Sequence, residues 1–463
     1  MLRILPKPQR LEEKEGTLFL DYHCRITIKD NCPEEAYFYA KQLSEQFEHS
    51  TGIELSIDRR TKKPHKGIVL CIDETAGSEK TKKAGKEAYC LTITPEGATV
   101  SAYAKEGLFN GVQTLRQLII QYGICLPCLY IEDYPQIPVR GWFMDVTRGR
   151  IPKLSYLKEM ADRCSLYKIN QMHLYIEHTF LFDGLSETWR DDTPLTAQDI
   201  LEFDEYCAQR NIELVPSIAT FGHLYKVLRT KTYHELSEIE EPDGCQFSFY
   251  ERMCHHTLNT TDDRAYEFVC RLIDEYSPLF RSNLFNINCD ETFDLGKGRG
   301  KEVADQIGSH AMYIQWVNRV CEHVEEIGKR PMFWGDIIAA HPETIKELPK
   351  DIICMTWDYG LAPGEYQCQK ALGKPVHISI CVQVFRDGIR RFTYLKLPMR
   401  ISKRWQYLPI NLTERDILTT DWGRLWTFSV PRTRTCGHHL WCSIWMESRN
   451  SRKRRDQCRY FCY

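Results

Sequence analysis

The sequence predicts an α/β protein: a small α/β domain followed by a (β/α)8 TIM barrel that reads as incomplete at its C-terminal end. Three observations carry this. At 463 residues the chain exceeds the length one hydrophobic core usually serves, so two domains are expected. From Val139 to Trp357 a strand-then-helix unit recurs, six times in series, which implies a parallel sheet, either doubly wound or closed. Nearly every strand also runs out into acids, histidines or tryptophans. Over about 300 residues that favours a closed barrel, whose chemistry sits at the carboxyl ends of its strands.

The first domain is expected over residues 1–135. Strand-like pieces at Thr17 to Ile28 and Gly67 to Asp73 alternate with helical ones, and Glu35 to Phe47 places apolar residues near helical spacing. Tyr89 to Ala102 alternates with a period of two, as a strand does, and Glu106 to Gly123 reads as a helix. Pro135 and Pro138 mark the boundary.

The barrel is expected over residues 136–423. Its strands are Val139 to Val146, Gln171 to Ile176, Ile212 to Ile218, Leu284 to Asn288, Pro331 to Trp334 and Ile352 to Trp357. Between them, Leu154 to Tyr167 is a helix with Leu157, Met160, Ala161 and Cys164 on one face. Thr196 to Arg210 is another, with Thr196 and Asp199 spaced as a capping pair. Asp263 to Tyr276 and Glu302 to Ile327 complete the helices.

Composition excludes several functional classes. A formal net charge of −2 gives no global reason to expect nucleic acid or an anionic membrane as partner. No stretch approaches the length of a membrane span, and the N-terminus lacks the apolar core of an export signal, so a cytoplasmic location is expected. Cys125 and Cys128 form a lone CxxC without a second ligand pair, so the twenty cysteines read as structural thiols rather than a metal or redox centre.

The strand ends gather Asp145 and Arg148, Glu177 and His178, His223, Asp290 and Glu291, Trp334 and Asp336, and Trp357 with Asp358. Other acidic doublets carry less weight. Asp204-Glu205 and Asp274-Glu275 lie within helical patterns, and Asp73-Glu74 lies in the small domain without aromatic or histidine company. Carboxylates beside indoles suggest a sugar site, because an indole stacks on the apolar face of a pyranose while acids move protons.

Adjacency narrows the mechanism. Two-carboxylate retaining glycosidases place acid and nucleophile about 5 to 5.5 Å apart on opposite sides of the scissile bond, whereas neighbouring residues have Cα atoms only about 3.8 Å apart. Glu291 therefore fits as the acid that protonates the leaving oxygen, with Asp290 orienting a nucleophile that belongs to the substrate.

The segments VRGWFMDVTRGRIP, LYIEHTF, VPSIATFGHL, NCDETFDLGKG, FWGD and TWDYG, in this order and spacing, resemble glycoside hydrolase family 20, the β-N-acetylhexosaminidases; in the small domain EGLFNGVQTLRQLI resembles the segment leading into that family's barrel. The likeness covers residues 1 to about 365. It implies a retaining, substrate-assisted reaction through an oxazolinium intermediate on terminal β-linked N-acetylglucosamine or N-acetylgalactosamine of an oligosaccharide or glycoconjugate. Glu291 would be the acid/base and Asp290 the partner of the acetamido N–H. Arg140, Trp334, Trp357, Trp422 and Asp336 would bind the sugar, while His223, His178, Glu177 and Asp145 would orient the catalytic pair. No metal or organic cofactor is implied.

The pattern breaks after about residue 376. It returns briefly at Leu418 to Gly423, with Arg424 where related sequences carry an acid, and residues 424–463 form a basic tail. From Ala371 onward there are 18 Lys and Arg against 6 Asp and Glu, compared with 43 against 57 before it. Two abrupt losses around a short island read as altered reading frames; the other reading is a genuine basic tail, Arg449 to Arg459, contacting nucleic acid or an acidic surface. An open barrel that binds sugar without cleaving it is the alternative function.

Overall fold

The computed structural model describes residues 2–59, 66–241, 245–248, 251, 256–358, 378–383 and 416–421. The first seven strands are β1 (Arg10–Phe19), β2 (Arg25–Ile28), β3 (Ser56–Arg59), β4 (Gly67–Ile72), β5 (Tyr89–Thr94), β6 (Gly97–Ala102) and β7 (Cys125–Asp133). They form one mixed sheet in the order β1-β7-β5-β6-β4-β2-β3. Helices Ala36–Thr51 and Lys105–Tyr122 bury Leu43, Phe47, Leu108, Leu115 and Ile119 in a core shared with Ile26, Ile68, Leu91 and Val100 of the sheet. The alternation over Tyr89 to Ala102 is a hairpin, β5 pairing antiparallel with β6.

Thr17 to Ile28 proves to be the end of one strand and the whole of another. Its upstream part, Arg10 to Glu15, is charged and gives no apolar signal, because β1 is an edge strand exposed along nearly its full length. The CxxC is not a pair in space. Cys125 and Cys128 lie three residues apart on β7, so they point to opposite faces, one exposed and one buried.

Eight further strands close a parallel barrel: β8 (Arg140–Asp145), β9 (Gln171–Ile176), β10 (Glu213–Ile218), β11 (Leu284–Asn286), β12 (Arg330–Trp334), β13 (Ile353–Asp358), β14 (Ile378–Gln383) and β15 (Asp416–Asp421). Expecting an open or incomplete barrel was wrong for the strand ring. β14 pairs with β13 and β15, and β15 returns to β8, with Ile417 opposite Arg140 and Asp421 opposite Met144. The reason is local: ISICVQ and DILTTD are rich in β-branched and apolar residues, and six such residues suffice for a rung of the ring. The loops and helices expected between them, and the basic tail, lie outside the described residues.

Strand alternation sorts the barrel's two layers. Phe143, Tyr175, Val215, Met332, Trp334, Ile353 and Met355 face inward and pack together, while Met144, Leu174, Ile176, Leu214 and Phe333 face the surrounding helices. The expected capping box is present: Thr196 Oγ1 accepts the Asp199 N–H at 3.1 Å, and Asp199 Oδ2 accepts the Thr196 N–H at 2.9 Å. The helix read over Glu302 to Ile327 is two, Lys301–Ile307 and Ser309–Glu326, divided at Gly308 with φ +86°.

A buried polar cluster fastens the sheet domain to the amino end of the barrel. Lys168, in a left-handed turn after helix Leu154–Leu166, sends Nζ to Asp133 Oδ2 at 2.7 Å and to the Tyr89 hydroxyl at 2.8 Å. Tyr89 shares a further bond of 2.6 Å with Thr114. Beside it Arg140 grips both oxygens of Glu87, at 2.9 and 2.8 Å. Among the described residues no helix is long and apolar enough to cross a membrane.

Candidate active site

The turn that carries Asp290 and Glu291 begins where β11 stops pairing, two residues earlier than the apolar pattern suggested. Asn288, Cys289 and Glu291 all have positive φ, at 57°, 63° and 51°, in a region where a non-glycine residue costs about 1–3 kcal/mol. Such a turn persists only when its surroundings over-determine it, and they do. Trp334 gives its backbone N–H to the Asn288 carbonyl at 2.8 Å and its indole N–H to Asn288 Oδ1 at 2.9 Å. Asn286 Oδ1 accepts the Asn288 N–H at 3.0 Å. The Tyr313 hydroxyl donates to the Cys289 carbonyl at 3.0 Å, and Asp336 Oδ2 accepts the Glu291 N–H at 3.0 Å.

The turn aims two carboxylates into different surroundings. Asp290 is buried, whereas the Glu291 side chain keeps 22% of its surface accessible, enough to meet a substrate. His223, itself at φ +61° just past β10, sets Nε2 at 3.3 Å from Asp290 Oδ2 and 3.3 Å from Glu291 Oε2, lying between them and aligned with neither for a straight hydrogen bond. Burial disfavours a charged imidazole here, but the Asp290 carboxylate outweighs it, and the ring is raised to about 10. Burial likewise pushes the Asp290 carboxyl up, yet His223 and then Arg148 hold it below the usual carboxylate range. The pair is thus an imidazolium beside an ionised Asp290. The same three side chains could offer ligand atoms to a metal ion, which would have to displace the His223 ring proton to bind there.

A second cluster stands beside it at the ends of β8 and β9. Asp145 is fully buried and accepts the N–H groups of Thr147 and Arg148, both at 2.9 Å, which folds the chain so that Arg148 turns over the barrel mouth. Arg148 Nε bonds Glu177 Oε1 at 2.9 Å and Nη2 bonds the Tyr175 hydroxyl at 3.0 Å, with the guanidinium 4.9 Å from the Tyr175 ring centre. Its charge acts on Asp290. Burial raises the Glu177 carboxyl, with Arg148 opposing.

The structure therefore brings together Asp290, Glu291, His223, Trp334, Asp336, Glu177 and Asp145. Arg140 is a correction. It begins β8 at the end of the barrel away from Asp290 and Glu291 and is engaged with Glu87 and with the carbonyls of Ile137, Pro138 and Lys168. A strand of six residues separates its two ends by about 17 Å, five steps of about 3.3 Å, so the arginine at the mouth is Arg148. His178 follows Glu177 but is held apart from the pair: it is buried, burial lowers its ring to about 3, and Lys226 and Asp192 are the charges it senses. Trp334 is fully buried in the barrel interior, edge-on to Phe143 at 5.2 Å, where it braces the turn from beneath. Trp357 has its backbone in β13, but its side chain and all of Trp422 lie outside the described residues.

Sequence reasoning missed Tyr175, Asn288, Gly222 and Tyr313. Tyr313 lies on a helix twenty-two residues after Glu291 and carried no local signal. Gly222 precedes His223, and a Cβ there would sit 2.7 Å from the Asp290 carbonyl oxygen. Gly222→Ala is expected to displace the turn, destabilising the fold by about 1–3 kcal/mol and lowering turnover about 10- to 100-fold. Thermal melting together with steady-state kinetics checks both; unchanged kinetics would mean that the turn tolerates the displacement.

The model for glycosyl hydrolase family 20, domain 2, matches residues 1–134, and that for the glycosyl hydrolase family 20 catalytic domain matches residues 138–380. A β-hexosaminidase of Akkermansia muciniphila is 28% identical over 237 residues, which are 44% of this chain and 45% of that protein. One from Porphyromonas gingivalis is 22% identical over 371 residues, 73% of this chain and 46% of its own length. The chain spans about half the length of the curated relatives it matches. Among solved structures, the GH20 β-N-acetylhexosaminidase of Streptomyces coelicolor aligns with a TM-score of 0.69 at 22% identity over 90% of this chain and 85% of that one. At that identity it shares the fold.

Proposed function

We propose, since this chain belongs to glycoside hydrolase family 20, that it is a β-N-acetylhexosaminidase which removes terminal β-linked N-acetylglucosamine or N-acetylgalactosamine from an oligosaccharide or glycoconjugate. The observation that carries the reading is the unequal pair: Asp290 buried and held ionised by His223 and Arg148, next to the more accessible Glu291. Two neighbouring carboxylates so placed divide the labour. Asp290 accepts the hydrogen bond of the substrate's acetamido N–H and leaves the acetamido oxygen to act as nucleophile.

In the first step that oxygen bonds to the anomeric carbon, the bond from that carbon to the leaving oxygen breaks, and the Glu291 proton passes to the leaving oxygen. In the second, ionised Glu291 takes a proton from water as the water oxygen bonds to the anomeric carbon and opens the oxazolinium ring. Two displacements on one carbon restore its configuration. Arg148 is the cation at the mouth for sugar hydroxyls, and Asp145, Glu177 and Tyr175 fix its direction.

Release of a chromogenic aglycone from the N-acetyl-β-glucosaminide and the N-acetyl-β-galactosaminide, with the corresponding β-glucoside as control, tests the reading. Turnover of an acetamido sugar and none of the glucoside is expected. Equal cleavage of the glucoside would exclude acetamido participation, and binding without cleavage would make the chain a sugar-binding protein.

A further inference from the structure

Asp336 is a carboxylate at this end of the barrel to which the reaction above gives no task. It follows β12, two residues past Trp334, and its Oδ2 accepts the Glu291 N–H at 3.0 Å. That N–H belongs to a residue at φ +51°, so this bond helps pin the strained backbone from which the acid/base side chain projects. Its other oxygen, Oδ1, is buried and has no hydrogen-bond partner among the described residues. The segment that carries it is tied down next door, where the Gly335 N–H bonds the Met355 carbonyl at 2.7 Å.

We propose that Asp336 is a positioning residue for Glu291 and stands as a neutral carboxylic acid, with Oδ2 accepting the Glu291 N–H and Oδ1 holding the proton. The inference rests on the assignment of Glu291 as acid/base. Its physical ground is that a buried carboxylate with a single external donor and two carboxylates for neighbours lacks what an ionised group requires. The largest charges acting on it are those of Asp290 and Glu291, and the Cys289 thiol and the Tyr313 hydroxyl lie close enough to feel its own. Burial first, and then the Asp290 charge, push the Asp336 carboxyl well above its ordinary range, while the Glu291 N–H and its own backbone N–H pull the other way without prevailing. A neutral group here serves the reaction, because a third negative charge would oppose the ionised Asp290 and the carboxylate Glu291 becomes after giving up its proton. An acceptor is needed; a charge is not.

Asp336→Asn keeps an acceptor oxygen aimed at the Glu291 N–H and keeps the site neutral, whereas Asp336→Ala removes the acceptor. Asp336→Asn is expected to hold kcat, KM and the pH profile near the parent values, and Asp336→Ala to lower kcat about 10- to 100-fold with a smaller change in KM. Independently of turnover, the parent-minus-Asn infrared difference spectrum at neutral pH should show the carbonyl stretch of one protonated carboxyl. The proposal is overturned if Asp336→Asn falls as far as Asp336→Ala, or raises KM while kcat holds, which would make Asp336 a charged ligand of the sugar. It is equally overturned if the difference spectrum shows a carboxylate in place of the acid. Because the infrared measurement needs no substrate, it still decides the protonation of Asp336 should the reaction assigned to this site prove wrong.

Discussion

Glu291→Gln is expected to lower turnover of an aryl N-acetyl-β-glucosaminide by about 10²- to 10⁴-fold, the range general acid–base catalysis supplies, while leaving the melting temperature nearly unchanged. The stability half follows from exposure: the side chain is 22% accessible, and glutamine keeps its shape and an oxygen for His223 Nε2. The kinetic half follows from position, since Glu291 has the accessible oxygens of the pair while Asp290 is buried against the imidazolium. The loss should shrink on substrates whose leaving group is already weakly basic, because the first step then needs less proton donation. A variant with full activity on a poor leaving group would refute the assignment of Glu291 as acid/base.

Lys168→Met should destabilise the protein by about 3–5 kcal/mol, the cost of leaving one member of a buried ion pair without its partner. Asp133 is almost inaccessible, and Lys168 supplies its contact at 2.7 Å as well as the bond to the Tyr89 hydroxyl. Burial lowers the Lys168 ammonium, and Asp133 acts against that, so each charge depends on the other to exist there. Urea unfolding measures the effect. The double replacement Lys168→Met with Asp133→Leu should recover much of the loss, because a well-packed apolar pair can match a buried ion pair. If the single variant unfolds at the parent's midpoint, the cluster does not hold the sheet domain to the barrel. The active site lies at the other end of the barrel strands, so activity of the folded fraction is expected to survive.

The two arginines flanking β8 show where sequence reading stopped. Arg140 and Arg148 both lie in VRGWFMDVTRGRIP, and nothing in their composition says which end of the strand meets the sugar. The decision belongs to direction: Arg140 opens the strand and meets Glu87 of the other domain, while Arg148 is turned over the mouth by the bonds from its own and the Thr147 N–H to Asp145. Trp334 was legible as a tryptophan at a strand end but not as a buried brace, because burial depends on Phe143 and Tyr175, which lie 191 and 159 residues earlier in the chain. Of the closing strands, β15 overlaps the Leu418 to Gly423 island read as a last strand, whereas β14 was hidden for another reason. Six residues of β-prone sequence give a weak signal when no recognisable helix follows.

By itself the sequence determined the α/β class, the sheet domain ahead of a parallel barrel, and the choice of Asp290 and Glu291 from several acidic doublets, since periodicity and adjacency are properties of the chain alone. Only the tertiary structure decided how those two acids differ. One lies buried beside an imidazolium and a guanidinium, the other reaches the surface, and their strained backbone is held by Asn286, Tyr313, Trp334 and Asp336. Ionisation states and strained dihedrals arise from groups distant in sequence that converge through space, because electrostatic interaction and burial depend on separation in three dimensions and not on order along the chain.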